Sequence, residues 1–122
     1  MSERKTTVWG LILSFKDEVD IPHAYKATHN LLSSLRYKAS KNNWKYDALA
    51  VGSCINPDTK EPVRTHVHLY LEANPGSTVV DWIKHYWYQR NGIGKDIPLD
   101  GNLAFLSYLY RQASFKFEQW SK

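Results

Sequence analysis

A single cysteine, Cys54, stands in a chain of 122 residues, so an intrachain disulfide and any multi-cysteine zinc site are excluded. It reads as a small buried strand residue rather than a reactive thiol. Long apolar runs are absent too, and nothing approaches the roughly 18 to 20 apolar residues that a membrane span needs. The N-terminal stretch leads into a short apolar run without a small-residue cleavage pattern, which predicts no signal peptide and an intracellular protein. No Gly/Ser linker, low-complexity tract, internal repeat or block of basic residues is present. The expectation is one domain over residues 1–122. What the chain does have is 43% hydrophobic and 14% aromatic residues, enough to bury a core and offset the entropy of ordering. A net charge of +4 with a pI near 9.2 is compatible with a polyanionic partner without demonstrating one.

Hydrophobic periodicity divides the chain into elements. Thr7 to Phe15 contains the run Val8-Trp9-Gly10-Leu11-Ile12-Leu13 and reads as a first strand. Asp20 is a candidate N-cap with Pro22 just inside, and Ala24, Thr28, Leu31 and Leu35 form one face of a helix ending near Ser40. Tyr46 to Ile55 and Val63 to Leu71 read as two strands of an antiparallel hairpin, joined through a Pro57-Asp58 turn. Ser77 or Thr78 can cap a second helix, whose core stripe is Val79, Ile83, Tyr86 and Trp87 and whose end is Asn91-Gly92. Ile93 to Leu99 is a candidate edge strand. A final helix is predicted from about Asn102 to Trp120, with Leu106, Leu109, Ala113, Phe117 and Trp120 as its apolar stripe. This order implies an α+β fold with a ferredoxin-like, mostly antiparallel sheet (βαββαβ-like) and a C-terminal helix.

Two groups of residues could carry chemistry. In Thr65-His66-Val67-His68-Leu69-Tyr70-Leu71 the side chains two apart share a face, so His66 and His68 project together while Val67, Leu69 and Leu71 face away. Two imidazoles so placed can coordinate one divalent ion. Ala48, Ala50 and Gly52 on the facing strand would leave space for an ion and substrate if they lie on the histidine side. In the final helix, Tyr108 and Gln112 fall one turn apart on one flank of the apolar stripe, with Tyr110 on the other flank. Each group alone is an ordinary pattern: half-exposed strand histidines, and one of eight tyrosines at a core edge. Together they suit attack of a phenolate on a phosphodiester whose charge a metal offsets.

With these residues in place, the sequence resembles the HUH endonuclease superfamily, which includes replication initiators, relaxases and single-tyrosine transposases. Leu11-Ile12-Leu13-Ser14-Phe15 matches its apolar first-strand motif, His66-Val67-His68 its histidine–hydrophobe–histidine motif, and Tyr108 its nucleophile motif. In size and texture the chain resembles the compact replication initiators (Rep) of archaeal rod-shaped viruses. The resemblance implies a Mn or Mg ion held by His66 and His68, single-stranded DNA as substrate, a covalent tyrosine–DNA link, a homodimer, and a separate helicase or polymerase. The Tyr108-Leu109-Tyr110-Arg111-Gln112 segment resembles the tyrosine-x-x-x-glutamine arrangement of single-tyrosine transposases, which implies Gln112 as third ligand, with Asp47 the alternative. Arg111 and Gln112 stand where many initiators carry a lysine. Arg64, Arg111 and Lys116 are candidate phosphate contacts. Competing readings are a non-catalytic single-strand-binding module using Tyr70, Trp87 and Tyr88, a two-histidine phosphoesterase, and a structural protein. The phosphoesterase needs a second histidine motif on a strand, and His23, His29 and His85 lie in helical patterns.

Overall fold

Helix α1 (Ile21–Asn42) starts and stops as its sequence dictates. Asp20 is extended and its carboxylate accepts the His23 N–H at 2.9 Å, while a proline occupies the first turn. At the other end Asn43 takes a left-handed conformation (φ 61°), and the Trp44 N–H donates to the Ala39 carbonyl at 2.9 Å. The predicted stripe is buried, and Thr28 satisfies its hydroxyl on the Ala24 carbonyl at 2.8 Å. Helix α2 (Gly76–Arg90) begins earlier than predicted: Pro75 holds the N-cap position with no side-chain cap, and Ser77 and Thr78 lie inside the first turn. Val79, Val80, Ile83 and Trp87 are buried, whereas Tyr86 is only partly covered.

The computed structural model describes residues 7–56, 58–99 and 113–119. Strands β1 (Thr7–Ser14), β2 (Lys45–Ile55), β3 (Pro62–Asn74), β4 (Gly94–Leu99) and β5 (Phe115–Gln119) form one antiparallel sheet in the order β4-β1-β3-β2-β5. The protein is therefore α+β, with β1-α1-β2-β3-α2-β4-β5 in chain order. The hairpin between β2 and β3 closes on Asn56, whose side-chain oxygen accepts the Asp58 and Thr59 N–H groups; Pro57 lies outside the described residues. Among the described residues no helix is long and apolar enough to cross a membrane.

Both helices cover one face of the sheet. Leu11, Leu13, Ala48, Ala50, Val67, Leu69, Leu71 and Ala73 are fully buried beneath them, packed with Leu31, Leu35, Ile83 and Trp87. The Trp87 indole N–H donates to the Ser14 carbonyl at 2.7 Å. Beyond Ser14 the chain is stitched to the α2–β4 loop: Ser14 N–H donates to Ile93 O at 2.9 Å and Lys16 N–H to Asn91 O at 2.8 Å. Gly92 sits against this backbone so closely that a Cβ there would collide with the Ser14 carbonyl.

The C-terminal part departs from the predicted helix. Phe115 to Gln119 is an edge strand on β2, not the end of a helix running to Trp120. Phe-Lys-Phe-Glu-Gln alternates with period two, and aromatic residues suit a half-buried pleated surface. Phe115 and Phe117 pair with Gly52 and Ala50 and turn toward α1, where Tyr25 packs on both rings. Gly52 makes room for that ring, since a Cβ there would collide with the Phe115 ring edge and push it aside. Residues 100–112, carrying Tyr108, Tyr110, Arg111 and Gln112, and residues 120–122 lie outside the described residues.

Candidate metal and nucleic-acid site

The alternation of β3 divides its side chains as expected. Val67, Leu69 and Leu71 enter the core, and His66, His68, Tyr70 and Glu72 point to the face that neither α1 nor α2 covers. Because β3 is the central strand, its histidines stand in mid-sheet. Across from His66 are Ser14 on β1 and Ser53 on β2; across from His68 are Ile12 and Val51. Directly opposed residues share a face, so Ala48, Ala50 and Gly52, opposite Leu71, Leu69 and Val67, belong to the helix side. The space they were expected to leave beside the histidines is instead filled by the core and by Phe115 and Phe117.

His66 and His68 converge. Their Nε2 atoms are 2.9 Å apart, and His66 Nδ1 lies 2.8 Å from the Arg64 carbonyl. A carbonyl only accepts, so Nδ1 of His66 carries the proton and its Nε2 presents a lone pair. That contact is the orienting hydrogen bond typical of a metal-bound imidazole. Two nitrogens this far apart, each about 2.1 Å from a shared ion, would subtend about 90° at it, the angle between neighbouring ligands of an octahedral ion. For both Nε2 atoms to bind one ion, the His68 proton must sit on Nδ1. His68 is only 7% exposed, and burial, followed by the charge of His66, pulls its pKa down to about 4. It is therefore neutral near pH 7, the form that ligates metals. Without an ion, the 2.9 Å contact is a hydrogen bond from His68 Nε2–H to the lone pair of His66 Nε2; with that proton moved to Nδ1, the two Nε2 atoms could serve as two ligands of a divalent ion.

Among the described residues no group of three or more His, Cys, Asp or Glu side chains gathers around a common point. Asp47, the alternative third ligand, does share the histidine face, but it pairs with Glu72, four positions along β3 from His68, a distance of roughly 13 Å at about 3.3 Å per residue. Tyr70 stands between them, buried, its pKa raised by desolvation and then by Glu72 and Asp47. His23 and His29 lie on α1 and His85 on α2, so none of them forms a second strand motif.

The candidate phosphate contacts divide. Arg64 lies two residues before His66 on the same face, and its Nη2 donates to the Lys16 carbonyl at 2.8 Å, tying it to the β1–α1 connection. Lys116 is on strand β5, not on a helix, and Val51 separates it from His68 across the sheet. Sequence reasoning missed Lys95, which pairs with Ile12 on the opposite flank of His68; only the β1–β4 register places it there. Of the aromatics considered for base stacking, Trp87 is fully buried and Tyr70 is 8% exposed, which leaves Tyr88 at 70%. Cys54 is half-buried at the irregularity near the end of β2, its Sγ 3.9 Å from Ser114 Oγ.

Comparison with protein-family models, with curated proteins and with solved structures yields no match.

Proposed function

We propose that this chain is an HUH-type endonuclease and strand transferase that nicks and rejoins single-stranded DNA, initiating DNA replication through a covalent tyrosine–DNA intermediate. The observation that carries the reading is the convergence of His66 and His68 Nε2 at 2.9 Å on the central strand, on the face opposite both helices. The strand order β4-β1-β3-β2 within a β-α-β-β-α-β succession supports the ferredoxin-like plan on which the reading depends. Burial of Tyr70 and Trp87 weakens the alternative of a non-catalytic sheet that stacks bases.

In this reading His66 and His68 hold a divalent ion, Mn or Mg, with Gln112 as the third protein ligand. Bound there, such an ion polarises a phosphodiester oxygen and offsets the charge that builds up during displacement. Tyr108 is the nucleophile. Its hydroxyl gives up its proton and attacks phosphorus, and the bond from phosphorus to the 3′ oxygen breaks. The 3′ oxygen takes up a proton and leaves as a hydroxyl, while the 5′ phosphate stays on the tyrosine. The reverse attack by a 3′ hydroxyl restores the phosphodiester and returns a proton to Tyr108. Arg64, Arg111 and Lys116 contact the DNA backbone. A second subunit supplies the second nucleophile that a full transfer cycle needs, and a helicase or polymerase acts separately.

The test is incubation of wild type and Tyr108→Phe with labelled single-stranded oligonucleotides and manganese, scored for an adduct that survives denaturation. The expected result is an adduct with wild type, lost in Tyr108→Phe and lost with chelator. An adduct that persists in Tyr108→Phe would overturn the assignment of the nucleophile. Absence of any adduct or cleavage across a varied oligonucleotide set would overturn the enzymatic reading.

A further inference from the structure

We infer that the cleft beside the histidines holds the single strand next to the scissile phosphate, with Lys16 and Lys95 on its phosphates and Tyr88 against a base. The inference rests on the nicking reading and gives its substrate a path over the protein. The cleft, about 1160 Å³, lies between the end of β1, the α2–β4 loop and the last turn of α2. Two of its lining residues, Ile12 and Ser14, are the cross-strand neighbours of His68 and His66, so the cleft lies one strand away from the pair.

Register sets out a row across the sheet: Lys95 on β4, Ile12 on β1, His68 on β3, Val51 on β2 and Lys116 on β5. At about 4.8 Å between strands, Lys95 stands roughly 10 Å from His68 on the cleft side. On the other side Val51 is fully buried, so a strand reaching the histidines comes in along the Lys95 flank. Farther along the same face the charge is mixed, with Glu118 in the row of Tyr70, the Asp47–Glu72 pair in the row beyond and Lys45 in the row after that.

Lys16 and Lys95 are exposed, and among the described residues neither forms an ion pair. Asp17 is the acidic residue of the cleft wall. Arg90 is committed elsewhere: its guanidinium lies 3.9 Å from the centre of the Tyr86 ring and donates to the Tyr86 carbonyl. Tyr88, unlike its buried neighbour Trp87, projects from α2 with 70% of its surface exposed. Lysines on phosphates and a ring on a base are the elements of sequence-tolerant single-strand binding.

The experiment measures fluorescence anisotropy of a labelled thymidine 20-mer in chelator at several salt concentrations, with the adduct assay run in parallel. Lys16→Ala/Lys95→Ala is expected to weaken binding about tenfold or more and to flatten the slope of log K against log salt by about 1.4, the share of two phosphates. Tyr88→Ala is expected to weaken binding about fivefold with the slope unchanged. Lys41→Ala/Lys45→Ala, away from the cleft, is the control and should change neither. Wild-type binding by both cleft variants, while wild type still forms its adduct, would overturn the path and leave the nicking reading standing. Equal affinity for the duplex would overturn the path as well. No adduct from wild type, with binding indifferent to these side chains, would overturn both.

Discussion

Lowering the pH in the presence of chelator should destabilise this protein chiefly through one side chain, His68. Its imidazole is nearly enclosed and its pKa is held at about 4 by burial and by His66, against about 6.5 in an unfolded chain. Well above pH 6.5 both states are neutral and the residue contributes no pH dependence. As pH falls below 6.5 the unfolded chain takes up a proton that the folded chain refuses, so stability falls until about pH 4 and then levels off. The full penalty is about 3 kcal/mol, and by pH 5 about 2 kcal/mol of it has accrued. For a chain of this size that corresponds to a fall of about 8 °C in Tm. Thermal melts of wild type and His68→Gln at pH 7.5 and pH 5.0 isolate the effect, since the other titrating groups are common to both. The wild type should lose about 2 kcal/mol more than the variant. Parallel losses in the two proteins would refute the argument that burial keeps His68 neutral.

Further outcomes follow from the same geometry. Manganese titrated into wild type should give saturable heat by calorimetry, and His66→Ala or His68→Ala should abolish it; binding retained in both variants would remove the histidines as ligands. Leu69→Ala, which empties a fully buried position in the sheet core, should cost about 2 to 5 kcal/mol in urea unfolding. Asp20→Ala removes the carboxylate that accepts the His23 N–H and should cost about 1 kcal/mol. Gly52→Val should displace the Phe115 ring and release β5, read as faster amide exchange over residues 115–119; unchanged exchange there would show that the edge strand does not depend on that space.

Where local pattern and tertiary demand agreed, the sequence was legible. Asp20 with Pro22, the stripe Ala24, Thr28, Leu31 and Leu35, and the alternation through His66 and His68 each specify a local geometry that the fold keeps. What local pattern does not hold is register. Whether Ala48, Ala50 and Gly52 or Leu49, Val51 and Ser53 flank the histidines depends on a pairing in which a slip of one residue exchanges the faces. Lys95 was illegible for the same reason, since β1 and β4 are far apart in sequence. Phe115 to Gln119 was misread because Phe117 falls four residues after Ala113 and three before Trp120, a helical spacing, and also two after Phe115, a strand spacing. The open edge of β2 and the ring of Tyr25 decide between them. For the site, the two histidines were visible as a motif, but their approach to 2.9 Å and the Arg64 carbonyl behind His66 follow from backbone geometry.

The stitching of Ser14 and Lys16 to the α2–β4 loop bears on how tightly the neighbouring cleft can bind. The N–H groups of Ser14 and Lys16 are spent on Ile93 and Asn91, and Gly92 is wedged against the same backbone. The wall that carries Lys16 is therefore already shaped before any ligand arrives. Ordering a loop or an interfacial side chain on association consumes part of the contact energy, about 0.5 to 1.5 kcal/mol for each rotamer-rich side chain immobilised. With the main chain fixed in advance, only the lysine and tyrosine side chains remain to be ordered. Gly92→Ala, whose added Cβ would press on the Ser14 carbonyl and the Lys16 N–H, would loosen this wall while leaving the lysine and tyrosine side chains in place, so its effect on affinity would measure what the shaped main chain is worth.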